Sequence, residues 1–349
     1  MGILKRQKAR KALDGLESRL GEELPPEFHA VVSGGEGLEL GVCRISDADT
    51  IAGLIGRAPC WPAELIPFGS ASANSFCLMK QAGKPAEDWP VVLAISDPPA
   101  VLPLSSGFRS FLFFLAIRFR DSASLGKEGE RAKKLLADQG VPADLMETPV
   151  PPPKLPEETY KYDREALLAR CVLALRSGEI QSMAKGLLAL AKEAPWWGAP
   201  HYLLAKLYQR QSHVPNTCGC YWNGLERPDC FSGTTTRPDL GDLGISRGIG
   251  TDAVAFLKEH AAQVPAQLKR HPRWQWMMET PDPTSPKSRL ELARSSAQNG
   301  DPERALWRYL DVLAVGWRDT AVLQEALPDM ADIYKGLGRT YEATVCQAG

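Results

Sequence analysis

The sequence has little of what marks exported or membrane-spanning proteins. Its longest apolar run, FLFFLAI at residues 111–117, is far shorter than the roughly 20 residues that a helix needs to cross a bilayer. Residues 1–20 lack the apolar core and cleavage site of a secretory signal. The eight cysteines are therefore expected to be reduced thiols. These absences predict a cytoplasmic protein.

The chain also has little net charge. Lys and Arg total 41 and Asp and Glu total 42, which gives a formal net charge of −1. Such a chain lacks the bulk attraction on which general binders of nucleic acid and anionic membranes depend. Its 349 residues, 44% hydrophobic and 24% charged, are typical of a globular protein with about two domains.

Proline is concentrated where the sequence pattern changes. Residues 148–156 read TPVPPPKLP, and prolines in such density favour an extended, semi-rigid linker. We predict an α+β domain over residues 1–122, a linker over 123–158 and an all-α domain over 159–349, with a long insertion at about 212–250.

The first domain mixes helical and strand patterns. Apolar spacing predicts helices at residues 12–20 and 108–119, and one that starts within residues 24–28 and stops at Gly34-Gly35. A further short helix at residues 126–140 would lie in the linker. Short apolar segments bounded by Gly, Ser, Asn or Pro predict strands at residues 38–45, 65–68, 75–79 and 89–95. Strands enclosed by helices, without regular βαβ alternation, favour a largely antiparallel sheet.

Small residues recur along the second domain at positions that could anchor repeated helix pairs: Cys171, Ala205, Ala293 and Ala331. Seven residues after three of these anchors stand Gly178, Gly300 and Gly338, where glycine would end the first helix of each pair. Twelve residues after two of them stand Ala305 and Ala343. The pattern resembles the tetratricopeptide repeat, whose antiparallel helix pairs stack into a solenoid.

Five short motifs follow one another in the first domain: LPPEF at residues 24–28, LIPFG at 65–69, FCL at 76–78, WPVV at 89–92 and SGFRSFL at 106–112. In this order they resemble the SUKH superfamily, which includes fungal cell-wall-synthesis regulators and many bacterial immunity proteins. The resemblance covers about residues 13–120. It implies an α+β binding module without catalysis, which commonly neutralises a toxin by direct contact.

The chain departs from that family at one turn. Family members often carry a Gly/Asp-rich turn and an acidic residue near the central strands, whereas residues 70–75 here read SASANS.

Aromatic side chains near the predicted strands could contact a partner, because desolvated aromatic side chains dominate many interfaces. Packing in the core is the alternative role for these aromatics. The candidate partner-binding residues are Trp61, Phe68, Asn74, Trp89 and Tyr208.

Reactive motifs are scarce. Neither G-x-G-x-x-G nor the P-loop pattern is present, and there is no H-E-x-x-H.

One group of residues could hold zinc: His213, Cys218, Cys220 and Cys230. Thiolates and imidazole are the usual ligands of zinc in proteins. Only one residue separates Cys218 from Cys220, where structural zinc sites usually have two to four. We therefore favour a chain with no metal, no cofactor and no enzymatic activity.

These observations lead to one main hypothesis and two alternatives. The main hypothesis is a non-enzymatic protein-binding protein, a bacterial immunity protein that binds a toxin effector. One alternative is a regulatory scaffold that binds its partner through the helical repeats. The other is a zinc-dependent protein built on the cysteine-rich insertion. Neither a membrane nor nucleic acid is expected as a partner.

Overall fold

The computed structural model describes residues 2–33, 37–40, 43–54, 62–96, 99–118, 127–142, 164, 167, 171, 180–228, 231, 248–283, 285–316 and 318–348. The chain forms two compact units. The first comprises Met1–Ser96, Pro103–Arg164 and Arg339–Gly349, and the second comprises Asp97–Leu102 and Glu165–Gly338. The proline-rich segment at 148–156 lies outside the described residues.

The N-terminal region contains a six-stranded antiparallel sheet whose strands are adjacent in chain order. The strands are β1 (Leu38–Leu40), β2 (Cys43–Ile45), β3 (Leu65–Ala71), β4 (Asn74–Met79), β5 (Val91–Ser96) and β6 (Pro99–Ser105). The helices that precede, interrupt and follow them are α1 (Gly2–Leu20), α2 (Pro26–Val32), α3 (Ala48–Leu54), α4 (Phe108–Arg118) and α5 (Lys127–Asp138).

Phenylalanines pack the sheet against α2 and α4. The ring of Phe68 in β3 lies 5.4 Å from the rings of both Phe108 and Phe111 in α4. Phe28 in α2 lies 4.9 Å from Phe108, and all four side chains have no exposed surface. Edge-to-face packing of this kind adds to the free energy gained by burying the rings. These rings form the core of the first unit.

The fold class agrees with the prediction of an α+β region followed by an all-α region. Two details of the first unit differ. Residues 38–45 form the hairpin of β1 and β2, with Leu40 paired to Cys43, instead of one strand. The sequence pattern also predicts neither α3 nor β6, and proline at Pro99 and Pro103 obscures β6 because proline supplies no amide donor to a sheet.

Apart from Asp97–Leu102, the described residues of the second unit form helices and turns. The helices are α6 (Ile180–Glu193), α7 (Ala199–Arg210), α8 (Val214–Leu225), α9 (Gly248–Glu259), α10 (Ala266–Lys269), α11 (Pro272–Glu279), α12 (Pro286–Gln298), α13 (Pro302–Gly316) and α14 (Thr320–Gly336). None of the helices in the described ranges is long and apolar enough to cross a membrane.

Consecutive helices pack as pairs in this unit, as α12 with α13 shows. The predicted turn glycine, Gly300, has a φ of +77°, a left-handed conformation that favours glycine at the end of a helix. The predicted anchor Ala293 and the small residue twelve positions later, Ala305, have no exposed surface. Small side chains therefore lie where the two helices approach each other.

The pair of α7 and α8 shows that part of the predicted insertion at 212–250 is regular structure. A Cβ atom on Gly224 of α8 would lie 2.7 Å from the ring of Tyr202 in α7. Glycine is therefore required at this close approach. Residues 232–247 of the insertion lie outside the described residues.

The last helix, α15 (Thr340–Ala348), belongs to the first unit. Its Glu342 side chain has no exposed surface and lies 3.4 Å from Lys80 and 3.1 Å from Arg339. Arg339 also lies 3.0 Å from Glu64. The repeat pattern predicts that Ala343 lies in the second helix of a pair in the second domain. The structure instead places it among the residues of the first unit.

His201 in α7 gives the second unit a predicted sensitivity to acid. Burial, reinforced by the nearby charge of Arg227, lowers the pKa of His201 to about 4. Because unfolded histidine titrates near 6.5, the unfolded chain binds a proton between these values that the folded chain does not. The free energy of unfolding should therefore fall by about 1–2 kcal/mol between pH 7.5 and pH 5.

The His201→Gln variant tests this origin of the acid sensitivity. Urea unfolding followed by circular dichroism at the two pH values should show a smaller loss for the variant than for the wild type. An equal loss in both proteins would assign the sensitivity to other groups.

Candidate partner-binding site

A cleft with a volume of about 760 Å³ opens between α1 and α2 of the first unit. This volume lies in the range of ligand-binding clefts. The charged and polar side chains that line it are Arg10, Asp14, Glu17, Glu23, His29 and Ser33. Its apolar lining residues are Leu13 and Leu24, which are almost fully buried, and Pro26 and Ala30, which are exposed. The accessible surface of the cleft is therefore mainly charged and polar, with a small apolar part at Pro26 and Ala30.

The sequence of α1 explains why charges line this cleft. Its buried positions, Ala9, Leu13, Leu16 and Leu20, recur at the three- and four-residue spacing of one helix face. Arg10, Asp14 and Glu17 have the same spacing on the neighbouring face. Pro26 then stands at the start of α2, where its missing amide hydrogen costs nothing.

Glu17 is held in place by two donors. Its Oε1 atom accepts a hydrogen bond of 2.7 Å from the backbone amide of Leu24 and lies 2.7 Å from Nε2 of His29. The side chains of Glu17 and His29 are 18% and 34% exposed. A carboxylate fixed in this way is already ordered before any ligand arrives, which lowers the entropy cost of binding.

Ser33 follows His29 by four residues and lines the same cleft. A hydrolytic centre would need the serine hydroxyl hydrogen-bonded to the imidazole that takes its proton. In the part of the chain that the structure describes, the side-chain contact of His29 is with Glu17, and no hydrogen bond joins the Ser33 hydroxyl to His29. The described cleft therefore presents charge and no activated nucleophile.

The predicted partner-binding aromatics lie elsewhere. Phe68 and Trp89 have no exposed surface, and the indole nitrogen of Trp89 donates a hydrogen bond of 3.0 Å to the carbonyl of Lys84. Both are therefore core residues, which corrects their prediction as exposed partner contacts. Trp61 lies outside the described residues. Asn74 and Tyr208 are half-buried, and a binding role for them stays a prediction.

Of the four residues considered for zinc, the three that the structure describes do not form a metal-binding group. Cys218 and Cys220 both lie in α8, where residues two apart point roughly 200° apart around the helix axis. Burial raises the pKa of Cys218, and that of Cys220 to about 11, whereas a zinc ligand must be a thiolate. His213 is the N-cap residue that precedes α8, and its Nδ1 accepts a hydrogen bond from the backbone amide of Asn216. Cys230 lies outside the described residues.

A second cluster of charged side chains lies in the second unit. Glu226 lies 3.4 Å from both Arg273 and Arg308, and Arg308 lies 3.0 Å from Asp311. The Arg308 side chain is only 2% exposed. Each of these charges has an opposite charge within 4.0 Å. Such a closed network fixes how helices pack and offers little to a ligand.

One motif in the helical unit was missed in the sequence. Residues 244–248 read GISRG, which has the G-x-S-x-G spacing of a hydrolase nucleophile elbow. In those enzymes the serine stands where a strand of the central sheet turns into a helix. Gly248 begins α9, but Ser246 lies outside the described residues. The described strands form the antiparallel sheet of the N-terminal region.

The sequence carried only part of the signal for the cleft. The spacing of Arg10, Asp14 and Glu17 is visible in it and could have indicated a charged helix face. The pairing of Glu17 with His29 could not be seen, because the loop after α1 brings these residues together across the cleft.

A comparison of the chain with known protein-family models finds no match, and the search of curated proteins finds no relative.

Proposed function

We propose that this chain is a non-enzymatic protein-binding protein, and specifically an immunity protein that neutralises a toxin effector by direct contact. The SUKH resemblance implies this role. The observation that carries the proposal is the open cleft between α1 and α2, whose lining includes the fixed carboxylate of Glu17 and the exposed apolar residues Pro26 and Ala30. Protein–protein interfaces commonly combine apolar contacts with polar and charged groups. The expected location is the cytoplasm.

A scaffold function is the second candidate. The helix pairs α7–α8 and α12–α13 favour it, because stacked helix pairs build extended protein-binding surfaces. In that case the partner would be held by the second unit, and changes in the cleft would leave binding intact.

A cleft-filling variant separates the two candidates. Ala30 is exposed on α2 and lines the cleft, so Ala30→Trp should occupy the space that a partner needs. The readout is growth of cells that co-express the chain with a toxic effector domain, which is to be sought among the neighbouring genes. Wild type should restore growth and Ala30→Trp should not. The matched control is Ala82→Trp, at an exposed turn outside the cleft.

Two results would overturn the immunity proposal. One is a failure of the wild-type chain to bind or neutralise that toxic domain. The other is full protection by Ala30→Trp, which would move the binding surface away from the cleft. Circular dichroism spectra that match the wild type establish that both tryptophan variants are folded.

A further inference from the structure

We infer that the cleft between α1 and α2 recognises a lysine or arginine side chain presented by the partner. This inference rests on the proposed function and names the chemistry by which the same site selects its partner. It follows from the charge of the cleft rim, the exposed apolar residues of the cleft and the arrangement of its carboxylates.

The charge of the rim favours a cation. Asp14, Glu17 and Glu23 contribute three carboxylates to the cleft, and Arg10 contributes the one guanidinium among its described lining residues. Asp14 and Glu23 are exposed. An incoming ammonium or guanidinium group would therefore meet an excess of negative charge, which also accelerates its approach.

Glu17 supplies a fixed point for that group. The two hydrogen bonds described above both end on its Oε1 atom. Within the described parts of the chain, its Oε2 atom accepts no hydrogen bond. A cation that binds Oε2 need not displace His29 or the Leu24 amide, and it forms a charge-assisted hydrogen bond with a carboxylate that is already positioned.

The exposed apolar residues of the cleft match the rest of such a side chain. Pro26 and Ala30 line the cleft and are exposed, whereas Leu13 and Leu24 are almost fully buried. Lysine and arginine carry three or four methylene groups, which commonly lie along apolar surface while the charged head reaches polar groups. The cleft offers both surfaces to one ligand.

A bare metal ion fits less well. Nowhere in the described ranges do three or more His, Cys, Asp or Glu side chains approach closely enough to hold a metal ion. The carboxylates are spread along the rim, which suits an extended cationic side chain and not a compact ion that needs several ligands at about 2 Å.

The direct test is a titration of the full-length chain with the peptide acetyl-Lys-Gly-Lys-amide, followed by the NMR signals of the His29 imidazole. A saturable shift of these signals is expected, and raising the salt from about 50 to about 300 mM should weaken the binding. The same peptide with norleucine in place of lysine should bind much more weakly. No saturable shift up to about 10 mM peptide, or equal binding of the norleucine peptide, would contradict the inference.

Charge variants connect the test to the cleft. The double change Asp14→Asn with Glu23→Gln should weaken the lysine peptide about tenfold. The matched control, Glu87→Gln with Asp88→Asn, changes the net charge equally at exposed residues outside the cleft and should leave the affinity unchanged. Equal affinity of the two double variants would also contradict the inference.

Binding of the toxic domain separates this inference from the proposed function. If Ala30→Trp abolishes binding and the Asp14→Asn/Glu23→Gln variant retains wild-type affinity, the cleft is the binding site but does not select a cation. If both variants bind the toxic domain like the wild type, both proposals are wrong. Loss of binding in both variants supports both proposals.

Discussion

Replacing Glu342 with alanine should lower the free energy of unfolding of the first unit by about 3–5 kcal/mol. The Glu342 side chain has no exposed surface, and its partners Lys80 and Arg339 are only 13% and 12% exposed. Removing the carboxylate leaves Lys80 buried without its opposite charge, and desolvated charge is costly. Hydrogen exchange of the β3 and β4 amides in the full-length chain measures the effect.

The matched control is the exposed pair of Glu39 and Arg44. Their charged atoms lie 3.5 Å apart, close to the 3.4 Å between Lys80 and Glu342, but both side chains are more than half exposed. Glu39→Ala should therefore cost no more than about 1 kcal/mol. If Glu342→Ala leaves exchange in β3 and β4 unchanged while α15 exchanges freely, the helix is an appendage and not part of the first unit.

Phe68→Ala should be about as severe, with a loss of about 3–5 kcal/mol. The side chain has no exposed surface, and its ring contacts Phe28, Phe76, Phe108 and Phe111. Removing it opens a cavity between the sheet and α4, which the surrounding rings cannot fill without leaving their preferred packing. The loss of unfolding free energy is measured by urea unfolding of the full-length chain, followed through the hydrogen exchange of the β4 amides.

This variant also tests the corrected role of Phe68. A core residue changes stability, and Phe68→Leu should recover part of the loss because it refills part of the cavity. A partner-contact residue would change binding and leave stability near the wild type. A stable Phe68→Ala protein that fails to bind the toxic domain would restore the original prediction for this residue.

Local pattern was sufficient to predict the fold class. Two short apolar segments, 65–68 and 75–79, separated by Gly, Ser and Asn, indicated the β3–β4 region, and Gly300 marked the turn between α12 and α13. The β1–β2 hairpin was missed because Leu38, Leu40 and Val42 alternate as in one strand, and the shift of the apolar positions to Cys43 and Ile45 was overlooked. The placement of α15 was missed because helical periodicity shows which face is buried but not which unit buries it.

The candidate site was less predictable for the same reason. Phe68 and Trp89 are apolar residues near strands, and that pattern is identical for a core residue and an exposed interface anchor. The cleft depends on Glu17 and His29, which are twelve residues apart and meet only after α1 and α2 have packed. Contacts of this kind depend on tertiary structure, and no single helix or strand pattern contains them.

The central claim is that the chain neutralises its partner by binding it and does not carry out a reaction. The most direct measurement is a titration of the toxic domain's activity with purified full-length chain, alongside the Ser246→Ala variant. The account predicts that inhibition is complete at one chain per toxic domain and that Ser246→Ala inhibits equally well. Protection by far less than one equivalent, abolished by Ser246→Ala, would show turnover and contradict the account.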